Sequence, residues 1–350
     1  MQAPARTADV ADRRDLQSAV DARDLQSAGD ARATQCVRLT FSTRNALATC
    51  VSEQWTGKGN RGETNELRMA RHACLLHDSR VADVLVVQEG DPHSVQALIE
   101  VGLVCQYART DLRNQSAEVM GTVVCVRPQS GIVAGGVLDL LASLEAMNLG
   151  KRPTIVPCSC FGQVVWLVAL HLEHSRKERK KAAVLNVDVL RAAGETIASH
   201  RLFVEGQAVI CGMDGNASGK AVRSLFHKVG GVFAAGELLS SNQPTCCKVD
   251  KTDFGAEEVD FFYLAGNGCQ FERSRVERPA PLSFPYHVDR SADFLLRKRA
   301  PPIEKLQVVA ASDHAQLNVT LAFAQLEEPS HAQESEPLSI AEVLRMNQRT

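Results

Sequence analysis

Five apolar runs in this chain border a residue able to hold a cation or move a proton. "VADVLVVQEG" ends near Glu89, "QVVWLVALH" on His171, and "AVICGMDGN" on Asp214 with Asn216 two residues on. "EEVDFFYL" carries Asp260 into apolar surroundings, and Asp313 and His314 stand directly before "AQLNVTLAF". Carboxylates offer oxygen ligands to a hard cation and can take a proton from water, and an imidazole can donate to a reacting oxygen. Taken singly, each group reads as readily as a solvated strand end or a turn, because Asp, Asn and Gly are ordinary turn residues. The signal is their recurrence in one relation to one kind of run. Asp260 adds to it, since a carboxylate among apolar neighbours is expensive unless paired.

The runs must be the elements that hold these groups. Val84 to Val87 is continuously apolar and reads as a strand buried on both faces, and Ala208 to Cys211 repeats the design. Leu317, Val319, Leu321 and Phe323 alternate toward one side, which is the period of a strand. Ser175 with Glu178 forms a capping-box pattern before a helix whose apolar side would hold Ala183, Val187 and Leu190. The adjoining "RKERKK" reads as that helix's solvated face. Many short buried strands with few long helices give a layered α/β protein. If these distant groups act together they must meet in one cleft, which favours a single domain over two.

Composition narrows the classes. With 350 residues, 45% of them hydrophobic, the chain can bury a full core. A net charge of -2 excludes a protein that coats duplex nucleic acid through its overall field, while leaving room for a local basic groove. Eleven cysteines, an odd number, fit neither a disulfide framework nor paired zinc-ligand spacing, and read as reduced thiols of an intracellular protein. No apolar run has the length of a membrane span. Residues 14 to 31 hold the unit "RDLQSAxDA" twice, so 1–35 reads as a polar tail, flexible or targeting, although its many Asp residues oppose a transit peptide. Residues 325–350 form a second polar tail, whose amphipathic "SIAEVLRM" could dock on a protein partner. Between the tails, 36–324 is left for the folded domain.

The order of these groups resembles the endonuclease/exonuclease/phosphatase superfamily, the metal-dependent phosphodiesterases that include DNase I. "VQE" with Glu89 is similar to that family's "LQE", His171-Leu172 to its "HL" and Asp214-Gly215-Asn216 to the Asp-x-Asn of its "GDxN". Asp260 in "VDFFYL" is similar to its Asp before "YI", and Ser312, Asp313 and His314 to its "SDH". Asn45 in "FSTRNALA" looks like the Asn after the first strand, although the register could instead bring Thr43 there. The chain departs from the family pattern in two places. Met213 stands where glycine usually precedes the aspartate, and Arg44 stands where an aromatic usually precedes the Asn.

The resemblance implies a DNase I-like α/β sandwich of two mainly antiparallel sheets packed face to face, with helices outside and the site at one end. It implies Mg2+, with Mn2+ as a substitute, on Glu89, with Asn45 nearby and Asp313 at a second metal position. Asp214 would be the general base toward water, and Asn216 would hold that water or a phosphate oxygen. His314 would donate to the phosphate with Asp260 fixing its ring, and His171 would assist at the phosphate or leaving group. "RNALA", "MGTVVCVR" and the helix bearing Arg179 resemble the deadenylase branch, with its nocturnin-like exonucleases and 2',5'-phosphodiesterases. The expected activity is therefore a Mg2+-dependent 3'-5' exoribonuclease on single-stranded RNA. Tyr107, with Phe254 and Phe262 as further aromatics, could stack bases, and Arg109, Arg113 and Lys220 could follow the backbone. The alternatives are an abasic-site-type DNA endonuclease, a phosphatase of a small phosphate ester, and an inactive scaffold subunit of an RNA-processing complex.

Overall fold

The computed structural model describes residues 36–46, 73, 75–109, 121–140, 153–173, 179–243, 245–249, 254–277 and 314–324, with backbone alone for some, Arg109 and Arg179 among them. All lie within the expected 36–324 domain. The two expected tails, Arg113, the Ser175–Glu178 cap, Ser312 and Asp313 fall outside the described residues.

Two six-stranded sheets carry the architecture. The first runs β13 (Cys269–Glu277), β14 (Gln316–Ala324), β1 (Cys36–Asn45), β2 (Val84–Gly90), β4 (Gly121–Val126), β3 (Val104–Arg109). The second runs β5 (Ile132–Ala134), β6 (Thr154–Cys160), β7 (Gln163–His171), β8 (Ala208–Asp214), β12 (Asp260–Ala265), β9 (Glu237–Leu239). A short ladder joins β10 (Cys246–Val249) to β11 (Phe254–Glu257). Every described ladder is antiparallel except the middle pair of each large sheet, β1–β2 and β7–β8. A parallel pair needs a crossover of a dozen residues or more. Helix 75–81 lies on the first crossover, and α2 (Arg179–Ser199) on the second.

Alternation along the central strands makes three layers of core. Leu39, Phe41, Val84 and Val86 meet Val165, Leu167, Ile210 and Phe262 between the sheets. Their neighbours Leu85 and Val87 face outward against Leu75 and Leu98, under helix 75–81 and α1 (Pro92–Glu100). β2 is thus buried on both faces, as its apolar run requires. On the far side, α2 and α3 (Gly219–Val229) cover Trp166, Leu170, Met213 and Tyr263. The central strands approach closely at Gly212, where a Cβ would stand 2.9 Å from the Cβ of Val86.

The face of α2 differs from expectation at one position. Ala183 is exposed, and the buried stripe runs through Ala182, Asn186, Val189, Leu190, Ala193 and Ile197 with Val187 beside it. Alanine is small enough for either face, so it carries little information about where the stripe lies.

Candidate active site

Sheet register lines up three of the expected residues. His171 pairs with Asp214 across the parallel β7–β8 ladder, and Asp214 pairs with Asp260 across the antiparallel β8–β12 ladder. They occupy one line across three adjacent strands, about 4.8 Å from rung to rung. The opposite sheet contributes Asn45, which ends β1 opposite Gln88 and donates from Nδ2 to Asp214 Oδ2 at 2.9 Å. Asn45 therefore bridges the two sheets at the site. Thr43, the alternative register, instead accepts from Gln88 Nε2 at 3.0 Å.

Glu89 arrives by a distortion. The β2–β4 ladder loses register between Val87 and Gly90, and Glu89 takes a left-handed backbone with φ of 52°. A bulge re-aims a side chain at a strand end, and a non-glycine residue in this conformation costs about 1–3 kcal/mol. Gly90 permits the distortion, since a Cβ there would meet Val123 Cγ2 at 2.8 Å. The Glu89 side chain keeps 11% exposure, and its Oε1 lies 3.4 Å from His171 Nε2. The same nitrogen lies 3.5 Å from Asp214 Oδ2, so one imidazole sits between two carboxylates.

Asp214 is the hub. Asn216 donates its backbone N–H to Asp214 Oδ1 at 2.9 Å and its amide to Oδ2 at 3.2 Å and to Leu172 O at 3.0 Å. This Asx turn holds Asn216 at φ 46°, a conformation asparagine tolerates. Met213 leaves the turn intact, because strand alternation sends its side chain into the helix layer. On the other flank, His314 Nδ1 stands 2.8 and 3.1 Å from the two Asp260 oxygens, while its Nε2 lies 3.9 Å from Asp214 Oδ2. Burial pushes the Asp260 carboxyl above the usual range, the His314 ring pulls it down, and Asp214 adds to the rise. With Asp260 ionised, Nδ1–H donates to it and Nε2 is left toward Asp214.

Two supports were not read from the sequence. Thr245 Oγ1 accepts from the amides of Val259 and Asp260, each at 3.0 Å, and its carbonyl accepts from Ala315 N at 2.6 Å. It therefore ties the Asp260 strand to the His314 segment. Thr245→Val leaves two buried donors unsatisfied and should lower stability by about 1–3 kcal/mol. An unchanged denaturant midpoint would remove the hydroxyl from this role. Arg44 is the second support. It is 1% exposed, pairs through Nη1 with Asp78 Oδ2 at 2.7 Å, and donates from Nη2 to the His314 carbonyl at 3.1 Å. The departure from an aromatic at position 44 is thus a buried ion pair holding the backbone of a site residue. An arginine ahead of Asn45 and an acid in the 75–81 helix were the available clues, but nothing in the sequence paired them.

Among the described residues, one trio of metal-ligand types lies close enough to hold an ion: Asp214, Asp260 and His314. Both Asp260 oxygens face His314, and Asp214 Oδ2 already accepts two amides. Glu89, whose side chain keeps 11% exposure, and the Asn45 amide oxygen offer the oxygen donors that a hard cation prefers. Asp313, expected at a second metal position, lies outside the described residues.

The expected substrate-binding residues are less gathered. Tyr107 is half-buried on the edge strand β3 and packs against the outer cluster of the first sheet. Arg109 pairs with Gly121, which pairs with Gly90, so its backbone lies two strands from the residue after Glu89. Arg179 opens α2, and Lys220 is exposed in the first turn of α3. Phe262 is wholly buried between the sheets, which removes it as a stacking surface.

No family model and no curated protein sequence matches the chain. Solved structures do. D. rerio TDP2 complexed with single-strand DNA product is 17% identical over 81% of this chain and 98% of that one, with a TM-score of 0.53. The human nocturnin catalytic domain with bound sulfate is 14% identical over 83% and 96%, also at 0.53. An endonuclease/exonuclease/phosphatase family protein from Bacteroides thetaiotaomicron is 15% identical over 83% and 99%, at 0.52. This chain has the endonuclease/exonuclease/phosphatase fold. Within that fold, the two sheets meet at the end where Asn45, Glu89, His171, Asp214, Asn216, Asp260 and His314 collect. None of the described helices is long and apolar enough to cross a membrane.

Proposed function

We propose that the chain is a divalent-metal-dependent phosphodiester hydrolase of single-stranded nucleic acid, trimming RNA from its 3' end. The reading rests on one observation above the others. Asp214 is a buried carboxylate held by the amides of Asn45 and Asn216, with an imidazole on each flank. Asp214 takes the proton of the attacking water, and Asn216 holds that water in line. His314, steadied by Asp260, presents Nε2 to a nonbridging phosphate oxygen. His171, beside Glu89, lies toward the leaving oxygen. Glu89, with the Asn45 amide oxygen nearby, would hold Mg2+ or Mn2+, and Asp313 would serve a second metal position. When bound, such a cation supplies positive charge against the phosphoryl oxygens.

RNA is favoured by the deadenylase-like stretches around Asn45 and Gly121 and by the likeness to the nocturnin catalytic domain. The likeness to a protein crystallised with single-strand DNA product supports a second reading, in which the strand is DNA.

The test is a gel assay of 5'-labelled single-stranded RNA with an adenosine or uridine 3' tail, beside DNA of the same sequence, in Mg2+ or EDTA. A Mg2+-dependent ladder shortening from the RNA 3' end is expected. Glu89→Ala should move the Mg2+ titration upward by at least the roughly 10- to 100-fold that losing a mere supporting group costs a metal site. Cleavage of DNA alone would select the second reading. No cleavage of either strand by folded protein would overturn both and leave a small phosphate ester or a scaffold role.

A further inference from the structure

Among the described ladders, one pair of directly opposed residues is cysteine on both sides. Cys105 on β3 faces Cys125 on β4. Every other cysteine described in a strand faces a different residue type: Cys36 faces Ala324, Cys269 faces Phe323, Cys211 faces Tyr263 and Val168, Cys158 faces Ala134 and Val165, Cys160 faces Ile132 and Gln163, Cys246 faces Glu257, and Cys247 faces Ala256. Directly opposed residues of an antiparallel pair have Cα atoms about 4.5–5.5 Å apart, inside the roughly 4.4–6.8 Å range that a disulfide spans. Their side chains also leave the sheet on the same face, and the two sulfurs stand 2.8 Å apart. The pair thus meets the strand register and sulfur proximity that a disulfide requires.

Access is asymmetric. Cys105 lies on an edge strand and is half-buried, whereas Cys125 is wholly buried in the outer cluster of the first sheet. An oxidant from solution reaches Cys105 first, and among the described residues Cys125 is the cysteine placed to resolve the product. We propose that Cys105 and Cys125 are a reversible thiol-oxidation site, closed by a small disulfide of the glutathione class. The Cys105 thiolate attacks one sulfur of that disulfide, forming a mixed disulfide and releasing one thiolate. Cys125 then attacks the Cys105 sulfur, the second small thiolate leaves, and the Cys125 proton goes to it. Two protein thiols are oxidised to one bond, and one small disulfide is reduced to two thiols.

The bond would staple edge strand β3 to the interior of its sheet. The ladder continues from this rung to Arg109–Gly121, next to the Gly90 that follows Glu89. The staple therefore lies one strand length from the candidate site and touches none of its residues, and it does not depend on what that site hydrolyses.

The test uses the full reduced chain incubated with oxidised glutathione, blocked with iodoacetamide, digested and mapped by mass spectrometry. A linked peptide joining Cys105 to Cys125, lighter by two hydrogens than the pair of free peptides and cleared by dithiothreitol, is expected. Cys125→Ala should convert it to a glutathione adduct that persists on Cys105. Thermal unfolding of the wild type should rise by roughly 5 °C on oxidation, because the bond closes the 106–124 loop of the unfolded chain. A wild-type chain that carries glutathione on Cys105 with Cys125 alkylated, or that leaves both thiols alkylated while Cys36 is oxidised, would overturn the proposal. Neither reading needs a variant to fold.

Discussion

Asp214→Asn is expected to lower kcat roughly a hundred- to ten-thousand-fold, the contribution of a positioned general base, while affinity for a single-stranded oligonucleotide is kept. The substitution preserves volume and removes the ability to accept a proton. Asn45 and Asn216 both donate to this carboxylate, so an amide in its place turns one of their contacts into donor against donor. Some local loosening of the Asx turn should follow. Single-turnover rates separate the two effects, because chemistry would fail even at saturating strand, and fluorescence anisotropy reports binding independently. Full turnover in the variant would remove Asp214 from the mechanism and return attention to Glu89 and His171.

Asp78→Ala should destabilise the fold by about 3–5 kcal/mol, the loss seen when one member of a buried ion pair is removed. The cause lies in the residue left behind, since Arg44 is 1% exposed and its guanidinium does not give up its charge. Arg44→Met should be milder. Asp78 already sits above the usual carboxyl range because burial penalises its charge, with Arg44 opposing, so it can neutralise itself by taking a proton. The sign follows directly. A carboxyl whose folded value is raised holds a proton that the unfolded chain has released, so stability falls as pH rises through the window above the ordinary value of 3.8. Arg44→Met should therefore recover stability on acidification, and Asp78→Ala should not. The double variant Arg44→Met/Asp78→Leu should regain most of the loss, with kcat still reduced, because the His314 carbonyl has lost its guanidinium donor. Recovery of both stability and kcat would confine the pair to a structural role.

Much of the site's composition was legible because its residues terminate apolar runs, and a run that must be buried fixes where its polar end emerges. That logic puts Glu89, His171 and Asp214 at strand ends, while their expected roles come from the family resemblance. Their mutual register was not legible, since it depends on β7 and β8 running parallel, and an apolar run has no direction. The Thr245 hub was invisible for a related reason. It acts through backbone amides, which every residue possesses, and an isolated threonine in a polar stretch resembles any other. Arg44 was visible only as a departure from a pattern. Its burial became explicable once Asp78 stood beneath it, 34 positions away in the chain. Ala183 failed for the opposite reason, because a methyl group commits a helix face to neither side.

The place of β14 has a kinetic consequence. It lies between β13 and β1, pairing Phe323 with Val37 and Leu317 with Thr43, so the first described strand is completed by the last. Contacts of such large sequence separation slow folding, because a long loop must close before they can form. Until then β1 presents an open edge, and His314, at the entrance to β14, is missing from the cleft. A nascent or prematurely terminated chain would hold its carboxylates without that imidazole. On the proposed mechanism, competence at the cleft would be a late event in the life of the polypeptide, set by strand order rather than by any separate inhibitor.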